Sequence, residues 1–231
     1  FNGEIYNHLD IRSQIKEAIK WRGHSDTETL INAISYFGLE KTLQKIKGMF
    51  SFALWDKSSK QLTLAKDRIG EKPLYYGFSG ESLVFASELK AIIKFPSFSK
   101  IIDRNALSLY FKFGYIPAGY SIYKGIYKLI PGTFITFSME DIKYKIVPKY
   151  FKYWSFNEIS LNQFSRPFNG SETEAINKLE NLLVKSIESQ LIGDVPIGAF
   201  LSGGIDSTTV VSLMQNLSSK PIETFTVGFK E

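Results

Sequence analysis

Ser202-Gly203-Gly204-Ile205-Asp206-Ser207 follows a short apolar run over residues 197–201 and precedes a segment carrying Val210, Val211 and Leu213; a second apolar run extends from Thr224 to Phe229. Strand, glycine turn, helix, strand is a βαβ unit, the opening of a parallel α/β sheet. Two consecutive glycines let the backbone turn tightly and approach a ligand, and the helix that follows offers N–H groups with no intrahelical partner to negative charge. The hydroxyls of Ser202, Ser207 and Thr208 add donors. Asp206 sits well beside a phosphate only with a divalent cation between them. The hexapeptide therefore asks for a phosphate with magnesium. It is not a Walker loop, because a loop begun at Gly198 reaches Gly203 at the right spacing but puts Gly204 where the lysine belongs. For glycines alone the better reading is a turn packing a helix on a strand; Ser, Asp and Ser at these offsets weigh against it.

Working back from this loop, Ser171-Glu172-Thr173-Glu174 is a capping box that opens a long helix with Ile176, Leu179, Leu183 and Ile187 on one face. Residues 155–171, rich in Asn, Ser, Gly and Pro, read as a linker. Before it the pattern differs. Residues 1–6 look like the end of a strand, and Asn7 is placed to cap a helix carrying Ile11, Ile15, Ala18 and Ile19. Ser25-Asp26-Thr27-Glu28 fits a capping box ahead of Leu30, Ile31, Ile34 and Phe37, with Gly38 to end the helix. Alternation in Phe50, Phe52 and Leu54, a turn at Lys57-Ser58-Ser59, and Leu62 and Leu64 predict a hairpin, and two more short strands flank Ser79-Gly80. Asp103 caps a helix with Leu107, Leu109 and Phe111, and Pro131-Gly132 precedes a strand over residues 133–137. Helices followed by an antiparallel run make this part α+β.

At about 150 residues per domain, a chain of 231 residues holds about one and a half domains. Hydrophobic residues at 44% and charged residues at 22% are those of a globular protein. The longest apolar runs fall short of the roughly 18 residues of a membrane span, and Phe1-Asn2-Gly3-Glu4 begins no signal peptide, so the chain is expected to enter mid-domain. With no cysteine, disulfides, thiolate metal sites and a thiol nucleophile are absent from the chain, and His8 and His24 read as surface or structural imidazoles. The net charge of +5 comes from the first 138 residues, where lysines are spread singly, the pattern of a solvated face. No nucleic-acid motif accompanies it.

Ser-Gly-Gly-Ile-Asp-Ser resembles the pyrophosphate loop of ATP pyrophosphatases. Phe1-Asn2-Gly3-Glu4-Ile5-Tyr6-Asn7, Ser25-Asp26-Thr27-Glu28, Gly48-Met49-Phe50-Ser51-Phe52-Ala53, Asp67-Arg68-Ile69-Gly70-Glu71-Lys72-Pro73-Leu74-Tyr75-Tyr76 and Phe85-Ala86-Ser87-Glu88-Leu89-Lys90 resemble, in order, the glutaminase domain of glutamine-hydrolysing asparagine synthetases. The resemblance implies an αββα N-terminal-nucleophile sandwich over residues 1–154, lacking its beginning, then the linker, then over residues 172–231 the start of a parallel α/β ATP pyrophosphatase domain. It implies that the Asn2 amide and the Gly3 N–H form an oxyanion hole, and that Asp26 receives the α-ammonium of glutamine with Glu4 lining the pocket. Without the resemblance, Asp26 reads as a first-turn acid facing the helix dipole.

The resemblance further implies that Leu201 and Val227 touch a nucleotide and that Ser202, Gly203, Gly204, Ile205, Asp206 and Ser207 cradle pyrophosphate, with Asp206 on magnesium. Taken alone, Leu201 and Val227 read as strand core. The family's amino-terminal cysteine nucleophile and substrate-carboxylate arginine match no residue here, so half a glutaminase pocket is expected and the fragment by itself inactive. Arg68, Glu71 and Lys72 read as a solvated turn with no catalytic step.

The implied activity is amidation of aspartate to asparagine with glutamine, ATP and Mg, through an acyl-AMP with release of pyrophosphate. The expected setting is cytoplasmic, without nucleic-acid or membrane partners, and a homodimer is the candidate assembly. The same machinery acting on another carboxylate, such as a sugar acid in surface-polysaccharide assembly, is the alternative. A non-catalytic nucleotide-binding module and a synthetase with a dead glutaminase are both disfavoured by the presence of Asn2, Gly3, Glu4 and Asp26 together.

Overall fold

The computed structural model describes residues 1–191 and 196–228. Two units divide the chain, Phe1–Ile159 and Ser160–Glu231. In the first, β1 (Asn2–Ile5) is followed by α1 (His8–Gln14), α2 (Asp26–Phe37) and α3 (Leu39–Lys45). β2 (Gly48–Asp56) and β3 (Gln61–Lys66) form the expected hairpin, whose turn is tied by Asp56 accepting from the N–H and hydroxyl of Ser58. β4 (Tyr75–Ser79) and β5 (Ser82–Ala86) flank Gly80; α4 (Leu89–Ile92) and α5 (Arg104–Phe113) follow, then β6 (Ile126–Lys128), β7 (Thr133–Phe137), α6 (Met139–Tyr144) and β8 (Phe151–Lys152). α7 (Phe156–Phe164) crosses the boundary between the units, and the second unit continues with α8 (Glu172–Gln190), β9 (Gly198–Phe200), α9 (Ile205–Leu217) and β10 (Glu223–Phe225).

Alternation along the strands builds the layers of the first unit. An antiparallel sheet runs β1-β2-β3-β7-β8, and a second runs β5-β4-β6. Phe50, Phe52 and Ala65 face one way, packing with Ile11, Leu30, Ala33 and Leu43 of α1 to α3. Leu64, Ile135 and Phe137 face the other way and meet Tyr76 of the second sheet and Leu129, which follows β6. Val84 and Ile126 of that sheet in turn pack with Ile92 of α4. Helices, sheet, sheet and helix make an α+β sandwich of four layers. In the second unit β9 and β10 pair in parallel around α9, the β–α–β step that opens an α/β sheet. Among the described residues no helix is long and apolar enough to cross a membrane.

Four local expectations come out differently. Asn7 precedes α1 but makes no side-chain cap bond; its Oδ1 accepts from the Lys47 N–H and its Nδ2 donates to the Lys45 carbonyl, pinning the strand end to the α3–β2 connection. α1 stops at Gln14, because Ile15 turns extended to enter the core, and Ala18 and Ile19 lie beyond the helix. Residues 155–171, read as a linker from composition, hold regular structure: Ser155 accepts from the Glu158 N–H, Glu158 pairs with Lys152 at 2.7 Å, and α7 forms there. The last apolar run pairs only over β10, and Phe229 lies outside the described residues.

Asp67, which directly precedes the turn read as solvated from Arg68, Glu71 and Lys72, is 1% exposed. Its Oδ1 accepts from the N–H groups of Ile69 (3.2 Å), Gly70 (2.5 Å) and Glu71 (2.9 Å), and its Oδ2 from Lys72 (2.9 Å) and Phe50 (3.3 Å). Its own N–H donates to the Phe50 carbonyl, and its carbonyl accepts from Gly132. One carboxylate thus shapes the turn after β3 and ties it to β2. Asp67→Asn exchanges one acceptor oxygen for an NH₂ group facing the buried Phe50 donor or the partly buried donors of the turn. Stability should fall by about 1–3 kcal/mol. Chemical denaturation of the intact polypeptide checks this, and a wild-type midpoint would show that the turn finds other acceptors.

Candidate functional site

β1 carries three of the expected glutaminase residues, and its approach to β2 is set by two glycines. Gly3 lies opposite Phe50 and Gly48 opposite Ile5. Gly3 has φ +145°, and a Cβ there would lie 2.6 Å from the Phe50 Cα; a Cβ on Gly48 would lie 2.9 Å from the Ile5 Cα. Both side-chain positions are filled by the partner strand's backbone, so only glycine fits.

Asp26 is brought to this strand from 21 residues away. It is 9% exposed and its Oδ2 accepts from the Ile5 N–H at 2.9 Å, while Thr27 donates to its Oδ1 at 3.2 Å. Its placement follows from the start of α2. Ser25 caps the helix by accepting from the Glu28 N–H, but the reciprocal half of the expected box does not form: Glu28 instead accepts from the N–H groups of Arg22 and Gly23. Those bonds hold the Glu28 carboxyl below its ordinary value, and burial opposes them. Arg12 completes the frame by donating to Thr29 Oγ1 at 2.7 Å and to the Gly23 and Ser25 carbonyls at 2.9 Å, with its guanidinium 4.2 Å from the centre of the Trp21 ring.

Two neighbouring side chains are shifted first by burial and then by nearby charge. Burial, and after it the Arg12 guanidinium, push the His8 imidazole below its ordinary value against the pull of Asp26; its Nδ1 is buried with no hydrogen-bond partner among the described residues. Burial, then Glu71, Glu4 and Asp67, push the Tyr6 phenol up. The Asn2 amide donates to Ser87 Oγ at 3.1 Å. Sequence reasoning gave Arg12 and Ser87 no role. Arg12 sits in an ordinary helical pattern, and Ser87 is 85 residues from its partner, so no local periodicity reveals either.

In the second unit, Gly203 adopts φ +80° and Gly204 is the extended residue before α9, with Asp206 in the first turn. Ser202 and Ser207 hydroxyls lie 3.0 Å apart, Ser207 also donates to the Gly204 carbonyl, and Thr226 ties the end of β9 by donating to the Leu201 carbonyl at 2.6 Å. A Cβ on Gly203 would meet nothing within 4 Å, so the loop faces open space. Val227 is 70% exposed, which is not strand core, and Leu201 is half-buried. Among the described residues no three His, Cys, Asp or Glu side chains gather as a metal cage. Magnesium fits here only as a cation held by Asp206 together with ligand phosphate oxygens. The structure thus joins Asn2, Gly3, Glu4 and Asp26 around β1, and separately joins residues 201–207 with Val227 at the ends of β9 and β10.

Family models match two stretches: a glutamine amidotransferase domain over residues 1–154 and an asparagine synthase over residues 178–231. A Methanocaldococcus jannaschii protein provisionally named asparagine synthetase [glutamine-hydrolyzing] 2 is 33% identical across 100% of this chain and 42% of its own length. Asparagine synthetase [glutamine-hydrolyzing] 3 of Bacillus subtilis is 32% identical across 100% of the chain and 36% of its own. The chain thus spans about two fifths or less of these relatives. The solved glutamine phosphoribosylpyrophosphate amidotransferase of B. subtilis aligns over 96% of the chain and 44% of its own at 18% identity, with a TM-score of 0.46.

The glycine contact gives a test that needs no assay. Gly3→Ala drives a methyl group into the β2 backbone, at a cost of about 2 kcal/mol or more. Amides of β1 should exchange with deuterium far faster than in the wild type, while those of α8 keep their protection. Unchanged β1 exchange would mean that the strands separate without cost.

Proposed function

Because the chain belongs to the glutamine amidotransferase family, we propose that residues 1–154 release ammonia from glutamine and that the second unit activates a carboxylate with ATP to receive it. The observation that supports the first half is the convergence of Asn2, Gly3 and Glu4 with Asp26 on one strand, through the Asp26–Ile5 bond. Amide hydrolysis builds negative charge on a tetrahedral oxygen, and fixed donors aimed at it lower the barrier. The Asn2 Nδ2 and the Gly3 N–H are those donors. Asp26 and Glu4 supply negative charge for the α-ammonium of glutamine. The covalent step belongs to a cysteine that the chain does not contain.

In the second unit the Ser202 and Ser207 hydroxyls and the α9 N-terminus hold the pyrophosphate of ATP, and Leu201 and Val227 border the nucleotide. A carboxylate oxygen of the acceptor attacks the α-phosphorus, the bond to pyrophosphate breaks, and ammonia then displaces AMP to leave an amide. Magnesium, when bound, offsets charge on the departing pyrophosphate. Aspartate is the acceptor, so the product is asparagine.

Three variants of the intact polypeptide, assayed for glutamate, AMP and asparagine together, test this reading. Asp26→Asn keeps an oxygen for the Ile5 N–H but removes the charge, so KM for glutamine should rise at least tenfold with little change in Tm; Asp26→Ala should raise KM and lower Tm as well. Lower Tm with an unchanged KM for either variant would make Asp26 a structural acid only. Asp206→Ala should lower kcat for ATP cleavage far more than apparent ATP affinity, because charge on pyrophosphate grows in the transition state, while glutamate release continues. AMP formation that depends on a uronic acid and ignores aspartate would move the acceptor to the alternative.

A further inference from the structure

The two sheets of the first unit meet at a polar contact outside the apolar layer between them. Asn2 is the first residue of β1, opposite Ser51 of β2. Ser87 directly follows β5, whose last residue Ala86 is paired with Tyr75 of β4. Each residue is therefore carried at the end of a hydrogen-bonded ladder, one in each sheet, and the Asn2 Nδ2 donates to Ser87 Oγ at 3.1 Å.

We propose that Ser87 is a positioning residue of the glutaminase centre, whose hydroxyl oxygen takes one N–H of the Asn2 amide and so presents the other to the developing oxyanion. The inference rests on the reading of Asn2 as an oxyanion donor. An amide group has two N–H bonds and one carbonyl. Its terminal torsion is broad and roughly two-fold. Turned by half a rotation, the same side chain aims a carbonyl lone pair at the oxyanion and destabilises the state it should stabilise. In the orientation observed the Ser87 oxygen accepts one N–H of the amide, which leaves the second N–H for the oxyanion. Ser87 supplies that acceptor from the opposite sheet, so the aim of the amide depends on how the two sheets are spaced, and a preorganised donor needs no reorientation as charge builds.

The test uses Asn2→Ala, Ser87→Ala, Ser87→Thr and the double alanine variant in the intact polypeptide, each measured for glutamine kcat and KM and for Tm. Removal of one oxyanion donor costs about 10²–10³ in kcat. Ser87→Ala should therefore lower kcat for glutamine by about 10- to 100-fold with KM within about twofold and Tm near the wild type, and Ser87→Thr, which keeps the hydroxyl, should restore most of it. Because Ser87 acts through Asn2, the double variant should be no slower than Asn2→Ala alone. If Asn2→Ala is slow but Ser87→Ala keeps wild-type kcat, the positioning role is wrong and the oxyanion reading stands. If Asn2→Ala is itself as fast as wild type, that reading fails and the inference fails with it. A double variant slower than Asn2→Ala by the full Ser87→Ala factor, or a Ser87→Ala kcat loss matched by a drop in Tm, would make the contact a structural pin between sheets.

Discussion

The bond set around the Asp67 carboxylate fixes the frame on which the first unit's site is built. Five backbone N–H groups converge on its two oxygens, four from the turn after β3 and one from Phe50 in β2. A buried charge is tolerable only when so well bonded, and once bonded it leaves Phe50 little freedom. Phe50 is the residue opposite Gly3. The position of the proposed oxyanion strand is thus inherited: Asp67 places β2, β2 places β1 through a glycine contact, and β1 presents Asn2, Gly3 and Glu4. Asp26 closes the arrangement from the helical layer by binding the Ile5 N–H, so the acid that would receive substrate also holds the strand end.

The two units treat anions in contrasting ways. In the first, carboxylates satisfy backbone donors: Asp67 in its turn, Asp26 at β1 and Glu28 at Arg22 and Gly23. In the second, no side chain caps the start of α9, the Ser202 N–H donates to Ser207 Oγ with the two hydroxyls 3.0 Å apart, and the glycine loop faces open space. A strand-to-helix turn with unfilled donors suits a ligand that brings its own negative charge.

Much of this was legible from the sequence because it is local. Alternation gave the β2–β3 hairpin, serine before a run of acids gave the starts of α2 and α8, and glycines between a strand and a helix marked the turn at Gly203. What escaped was long-range. Asn7 has the identity of a cap, yet its side chain is taken by Lys45 and Lys47, about 40 residues on. Asp67 stands among Arg68, Glu71 and Lys72, and the charge pattern of a solvated turn is the same whether its first carboxylate faces water or five amides. Residue types announced Asn2 and Asp26 only through likeness to a family, since an amide on a strand and an acid on a first helical turn are each ordinary alone.

Gly3 of β1 and Gly48 of β2, each set against the other strand's backbone, bear on how this part of the chain can change over generations. A crowded side chain is usually relieved by trimming its neighbour, which is how second-site suppressors arise. At Gly3 and Gly48 the crowding atoms are main chain, present whatever residue occupies the facing position. No substitution across the ladder can make room, so neither glycine has a compensating partner, and a lineage that loses one recovers the strand pair only by reversion. The two positions should therefore show no covariation with each other or with their neighbours, although each is among the least replaceable in the chain.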